Sequence, residues 1–176
     1  MKLQPFERKN IILCTIVAVL VIVFDYWLKI EAVKHLKGVV PTSYWNGFVV
    51  IEYAENRGAF LSLGANLSDE ARTWIFVVGV FFILIFCFYS LWKSIHDRWS
   101  SLAFSLVISG GIGNLIDRIS QGYVVDYIHM GFGGLRTGVF NLADVAISGG
   151  LIFLLFFQYL TEKGAEPKAA EKTQKV

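Results

Sequence analysis

Four apolar runs of nearly equal length dominate this chain: Ile11–Leu28, Trp74–Trp92, Trp99–Ile116 and Ala143–Leu160. At 1.5 Å rise per residue each would extend about 27–29 Å as a helix, close to a hydrocarbon core of ~30 Å. The third run is the weakest, because Ser, Gly and Asn114 interrupt it. With 55% hydrophobic and 17% charged residues and a mean hydropathy of +0.56, the chain is too apolar for an ordinary soluble domain. The pattern predicts a polytopic, all-α membrane protein with four transmembrane helices.

The first run also has the basic flank of a signal peptide, but Phe24, Asp25, Tyr26 and Trp27 follow where small residues would mark cleavage. A retained helix is the expectation. Cys14 and Cys87 both fall inside apolar runs, so they read as small buried hydrophobes. With four spans both termini share one side. Segments 1–10, 93–98 and 161–176 carry 9 Lys/Arg in 32 residues, against 7 in 69 for the opposite side. That bias places the termini in the cytoplasm.

Residues 1–162 are expected to form one membrane domain, with an extracytoplasmic β segment over 30–72 and a disordered cytoplasmic tail over 163–176. Within the β segment, Trp45–Tyr53 reads as a strand, 55–58 as a turn and Ala59–Leu63 as a return strand. Forty-odd residues cannot support a core of their own, so the small sheet is expected to lie on the membrane over the helix ends.

The acids are distributed unevenly. On this topology nine of the 14 fall at or beyond the outer face. Asp25 and Asp117 end the first and third runs, Asp144 begins the fourth, and Asp126 lies in the Gly-rich connection between the last two. Capping and the helix dipole account for Asp144 but disfavour Asp25 and Asp117, which would need partners such as Lys29 and Arg118. An ionisable group at the edge of a span is costly and is by default a functional candidate. Asn114 and Arg118, four residues apart, would share one helix face, and Ser109–Gly113 would allow close helix approach. No Ser-His or Cys-His arrangement and no metal-ligand spacing is present. From the residues alone, three readings stand: an aspartate pair that activates water, a small ion or proton transporter, and a scaffold whose acids only cap and pair.

Five segments, in order, resemble the lipoprotein signal peptidases (signal peptidase II). They are Asp25-x-x-x-Lys29, Asn56-Arg57-Gly58-Ala59-Phe60, Gly110–Arg118, Val124–Ile128 and Phe140–Ile147. The second has one alanine before the phenylalanine where the family often has two. The resemblance implies that Asp126 and Asp144 are the catalytic dyad and that Asn56, Asn114, Arg118 and Asn141 line the substrate site. Asp25, Lys29, Gly58 and Asp117 would support it. It also implies cleavage of diacylglyceryl-modified prolipoproteins before the lipidated cysteine, with no cofactor or metal. Membrane lipids and prolipoproteins would be the partners, without nucleic acid, and the protein would be a monomer of the bacterial inner membrane with its site near the periplasmic face. The Gly131–Gly134 stretch and the Asn56 region are expected to flank the site as a lid.

Overall fold

The computed structural model describes residues 3–58 and 68–165. Four long helices, α1 (Pro5–Leu36), α2 (Asp69–Lys93), α3 (Arg98–Gln121) and α4 (Leu142–Ala165), coincide with the four apolar runs and extend past them. Each contains a stretch long and apolar enough to cross a membrane. Between them lie β1 (Thr42–Tyr44), β2 (Val49–Asn56), β3 (Val124–Phe132) and β4 (Leu135–Arg136), one antiparallel sheet in the order β1-β2-β3-β4.

α3 is the central helix, packed against α1, α2 and α4. Lipid offers no hydrophobic drive for helices to associate, so the seams depend on close packing. The α3–α4 seam is built from small residues. A Cβ on Gly110 would lie 2.3 Å from the Ala143 carbonyl, and one on Gly150 2.7 Å from the Ala103 carbonyl. The sequence-based packing role for Ser109–Gly113 is thus met. On the other flank Leu84 and Cys87 of α2 pack against Val107 and Ile108 of α3. The large apolar side chains of α1, α2 and α4 otherwise point outward, as lipid-facing residues do.

Several sequence expectations change. α1 does not end at Asp25 but continues to Leu36, about 48 Å for its 32 residues. Asp25 and Lys29 lie one turn apart in an ion pair, so neither charge breaks the helix. Asp25 therefore does not sit against a helix C-terminus. The sheet is also not confined to 30–72. Its second half is 124–136, and Asp126 is in a strand rather than a Gly-rich loop. The first strand segment starts at Val49, after a turn at Trp45–Phe48, and runs on through Asn56, so 55–56 is strand and not turn. The expected return strand Ala59–Leu63 lies outside the described residues; the partner of β2 is β3. At the other end of the chain, α4 reaches Ala165, past the expected tail boundary at 163.

Candidate active site

The site forms where the start of α4 meets α1, α3 and the near end of β3. Asn141 and Asp144 make a reciprocal cap at the start of α4: the Asp144 N–H donates to Asn141 Oδ1 (2.9 Å) and the Asn141 N–H donates to Asp144 Oδ2 (3.2 Å). The other two leading N–H groups also find side chains. Leu142 donates to the Tyr127 hydroxyl (3.2 Å) and Ala143 donates to Asp25 Oδ1 (2.8 Å). A helix entry thus tied to α1 and β3 fixes the height and direction of Asp144.

Asp126 is delivered by β3. The register of β2 shifts between Ile51 and Ala54, so that Ala54 stands opposite Asp126 and Asn56 opposite Val124. Such irregularities turn a strand and redirect the side chains beside it. Asp126 is almost fully buried. Its Oδ1 accepts from Asn141 Nδ2 (2.6 Å) and its Oδ2 from Asn56 Nδ2 (2.9 Å). Asn56 is held in turn, because its Oδ1 accepts from the Gly58 N–H (2.9 Å). Gly58 has φ +82, and a Cβ there would lie 2.4 Å from the Phe76 ring, which accounts for glycine at this position.

Asn114 closes the network. Its Nδ2 donates to Asp144 Oδ1 (2.8 Å), while its Oδ1 accepts from Asn141 Nδ2 (3.1 Å) and Lys29 Nζ (3.0 Å). Lys29 also reaches Asp25 Oδ2 (2.8 Å) and Asp117 Oδ2 (3.1 Å), so one ammonium is shared by three oxygens. The Asp25 contact is ionic in character, since Oδ2 takes no well-aligned hydrogen bond. Asp117 Oδ2 accepts from the Val125 N–H (3.1 Å). The acids paired to Lys29 therefore each grip a backbone amide next to one of the two central aspartates: Asp25 at Ala143 beside Asp144, and Asp117 at Val125 beside Asp126.

Eight of the ten residues expected at the site meet in this one network, and Gly58 supports it through Asn56. Arg118 stands at its margin. It donates to the Asn114 carbonyl (3.2 Å) and lies over the Phe76 ring. Asp117 takes Lys29 as its cation, so the expected pairing with Arg118 is not made. Arg118 nonetheless interacts electrostatically with Asp144, Asp126 and Asp117. It also lines a groove of about 290 Å³ with Arg57 and Trp74. A second groove of about 510 Å³ opens onto Asp144, between Val139, Phe140, Ser148 and Ile152. Gly131–Gly134 do not flank the site, because they lie at the far end of β3 and in the turn after it. Sequence reading missed Tyr127, whose only signal was its place beside Asp126. Burial, with the charges of nearby acids, pushes its phenol up to about 12, so it stays neutral.

Burial raises the Asp126 carboxyl to about 6, and the Asp144 charge adds to the rise against the opposing bonds from Asn56 and Asn141. Among the described residues, no group of three His, Cys, Asp or Glu side chains is placed to hold a metal.

Fold and site together define a multi-pass membrane protein organised around two linked aspartates. Residues 17–160 match the family model described as signal peptidase (SPase) II, and the chain belongs to that family of aspartic-type signal peptidases. A lipoprotein signal peptidase of Lactococcus lactis is 32% identical over 152 residues, covering 86% of this chain and 96% of the relative. One from Streptococcus pneumoniae is 36% identical over 149 residues, covering 84% and 92%. A solved bacterial membrane enzyme superimposes with a TM-score of 0.73 at 25% identity, over 88% of this chain and 92% of the other.

Proposed function

We propose that the protein removes the signal peptide from lipoprotein precursors by hydrolysing the amide bond before a diacylglyceryl-modified cysteine, with Asp126 and Asp144 acting as one dyad. The observation that carries this reading is the Asn141 side chain and backbone, which bind one carboxylate each. Two acids tied to a common residue and coupled by charge can hold one proton between them.

Asp126 is the better proton holder, because its burial favours the neutral form up to about pH 6. Asp144 sits at the positive end of α4, where a carboxylate is stabilised. In this scheme Asp144 takes a proton from water as the water oxygen attacks the scissile carbonyl. Asp126 gives its proton to the carbonyl oxygen, forming a gem-diol; as this collapses, Asp144 passes its proton to the leaving amine and one gem-diol hydroxyl returns its proton to Asp126. A C–O bond forms, the C–N bond breaks, and both carboxyls end as they began, so atoms and protons balance without a cofactor.

The acyl chains of the substrate would stay in lipid beside the groove that opens onto Asp144, while Arg118 and Asn56 contact its polar parts. The protein would work as a monomer in the inner membrane, termini in the cytoplasm and site near the periplasmic face, without nucleic acid. A transporter reading lacks support here, since the acids gather at one level and are bridged by Lys29, Asn114 and Asn141. Purified protein in detergent should cleave a diacylglyceryl-modified precursor and leave the unmodified precursor intact. Equal cleavage of both would remove the lipid requirement, and cleavage of neither would sink the proposal.

A further inference from the structure

At the end of the sheet away from Asp126, two turns meet. One joins β1 to β2 at Trp45–Phe48, and the other joins β3 to β4 at Gly133–Gly134. The Gly131 N–H donates to the Phe48 carbonyl (2.8 Å), and the Phe48 and Phe132 rings stack at 4.5 Å. Phe132 stands six positions along β3 from Asp126, about 20 Å of strand. This tip is apolar and uncovered: Trp45 is 76% exposed, Phe132 71% and Leu135 86%.

Trp45 is also conformationally out of place. It has φ 50 and Asn46 has φ 54, with the Gly47 N–H donating to the Tyr44 carbonyl, which makes a type I′ turn. That turn favours Asn or Gly in its first central position, and a bulky residue there is strained. A strained, exposed tryptophan is retained at a cost that packing does not return, because it packs on little. Strain kept in this way points to a role for the side chain.

We infer that the paired hairpin tip, with Trp45, Phe132 and Leu135, is an interfacial anchor that dips into the lipid surface on the sheet side of the membrane. The sheet is tied at its other end to the helices: Ala32 of α1 packs on Val125 and Tyr127, Lys37 pairs with Glu55, and Phe140, two residues before α4, bridges to Ile128. From that hinge line the sheet either stands away from the membrane or lies along it. Standing away would hold a contiguous aromatic tip in water, whereas lying along it places Trp45 at the depth where tryptophan partitions best. Arg136 next to the tip, with its guanidinium near Gly47 and His129, suits lipid phosphates. Gly58 stands beyond the opposite end of β2, beside Phe76 and away from the tip.

The test is depth. An environment-sensitive fluorophore on Leu135→Cys, and separately on Trp45→Cys, would be read in full-length protein reconstituted into phosphatidylethanolamine–phosphatidylglycerol vesicles. Anchoring gives blue-shifted emission, quenched more by a nitroxide high on the acyl chain than by one deep in the bilayer or by aqueous iodide. Water-like emission quenched by iodide overturns the proposal. Blue-shifted emission that no lipid quencher touches overturns it too, because a protein surface then covers the tip. Trp45→Asn supplies a second arm: relief of the turn should raise the thermal midpoint in detergent while the Leu135 label loses lipid quenching. A label that stays equally quenched would show that Trp45 anchors nothing. These readouts do not depend on peptidase activity.

Discussion

The two halves of α3 both bury polar side chains, and they use them in opposite ways. In the first half Ser101, Ser105 and Ser109 each donate to a backbone carbonyl, of Ser94 (2.7 Å), Cys14 (2.7 Å) and Leu106 (2.9 Å). Those hydroxyls are spent on the fold. In the second half Asn114 bonds to the side chains of Lys29, Asn141 and Asp144, and Asp117 meets Lys29 Nζ and the Val125 N–H, so these groups link α1, α4 and β3. Carboxylate oxygens with one amide donor each keep a second lone pair for water or substrate. The lesson is that burial of polar groups does not mark a site; the choice of partner does.

The largest break of this contrast should come from the dyad. Asp126→Asn and Asp144→Asn should each lower cleavage of lipidated precursor by about 10²–10⁴-fold in protein that remains inserted and folded. A variant retaining more than roughly a tenth of the activity would remove its residue from the dyad. Next in size is Lys29→Met, which leaves Asp25 and Asp117 facing each other without their cation. Breaking a buried pair of this kind costs about 3–5 kcal/mol, so a thermal melt in detergent should show a large loss. The double variant with Asp25→Asn should recover part of it; no recovery would mean that Lys29 acts by packing alone.

The pH profile sharpens the assignment within the pair. If Asp126 holds the proton, it loses it as pH rises through about 6, so kcat/KM should fall on that side, up to tenfold per unit. A limb that rises through pH 6 would make Asp126 the base and reverse the roles. The smallest effect belongs to the first half of α3. Ser105→Ala should cost on the order of 1 kcal/mol of stability and leave kcat and KM unchanged. A change in kinetics there would erase the distinction between the halves.

Much of this was legible in the residues, for physical reasons that differ by region. The helices follow from apolar length, and the acid positions stood out because charge is rare in such runs. What escaped was non-local. β3 looked like loop because its first four residues are buried on both faces, so Val124–Tyr127 shows no alternation, and the glycines at 131, 133 and 134 coloured the whole stretch. Its partner β2 is about 70 residues away in sequence. The length of α1 was hidden by Asp25, which reads as a terminus until Lys29 neutralises it one turn later. Adjacency in sequence pairs Arg118 with Asp117, whereas the cation that reaches Asp117 comes from another helix.

The shared asparagines bear on drug resistance. One amide group on Asn141 serves Asp126, Asn114 and the Val125 carbonyl together. An inhibitor that grips Asn141 or Asn114 therefore holds residues that a mutant cannot exchange without releasing the carboxylates. Escape has to come from the rim, where Val139, Ser148 and Ile152 shape the opening to Asp144. Compounds that leave that rim untouched would meet few single substitutions able to weaken them.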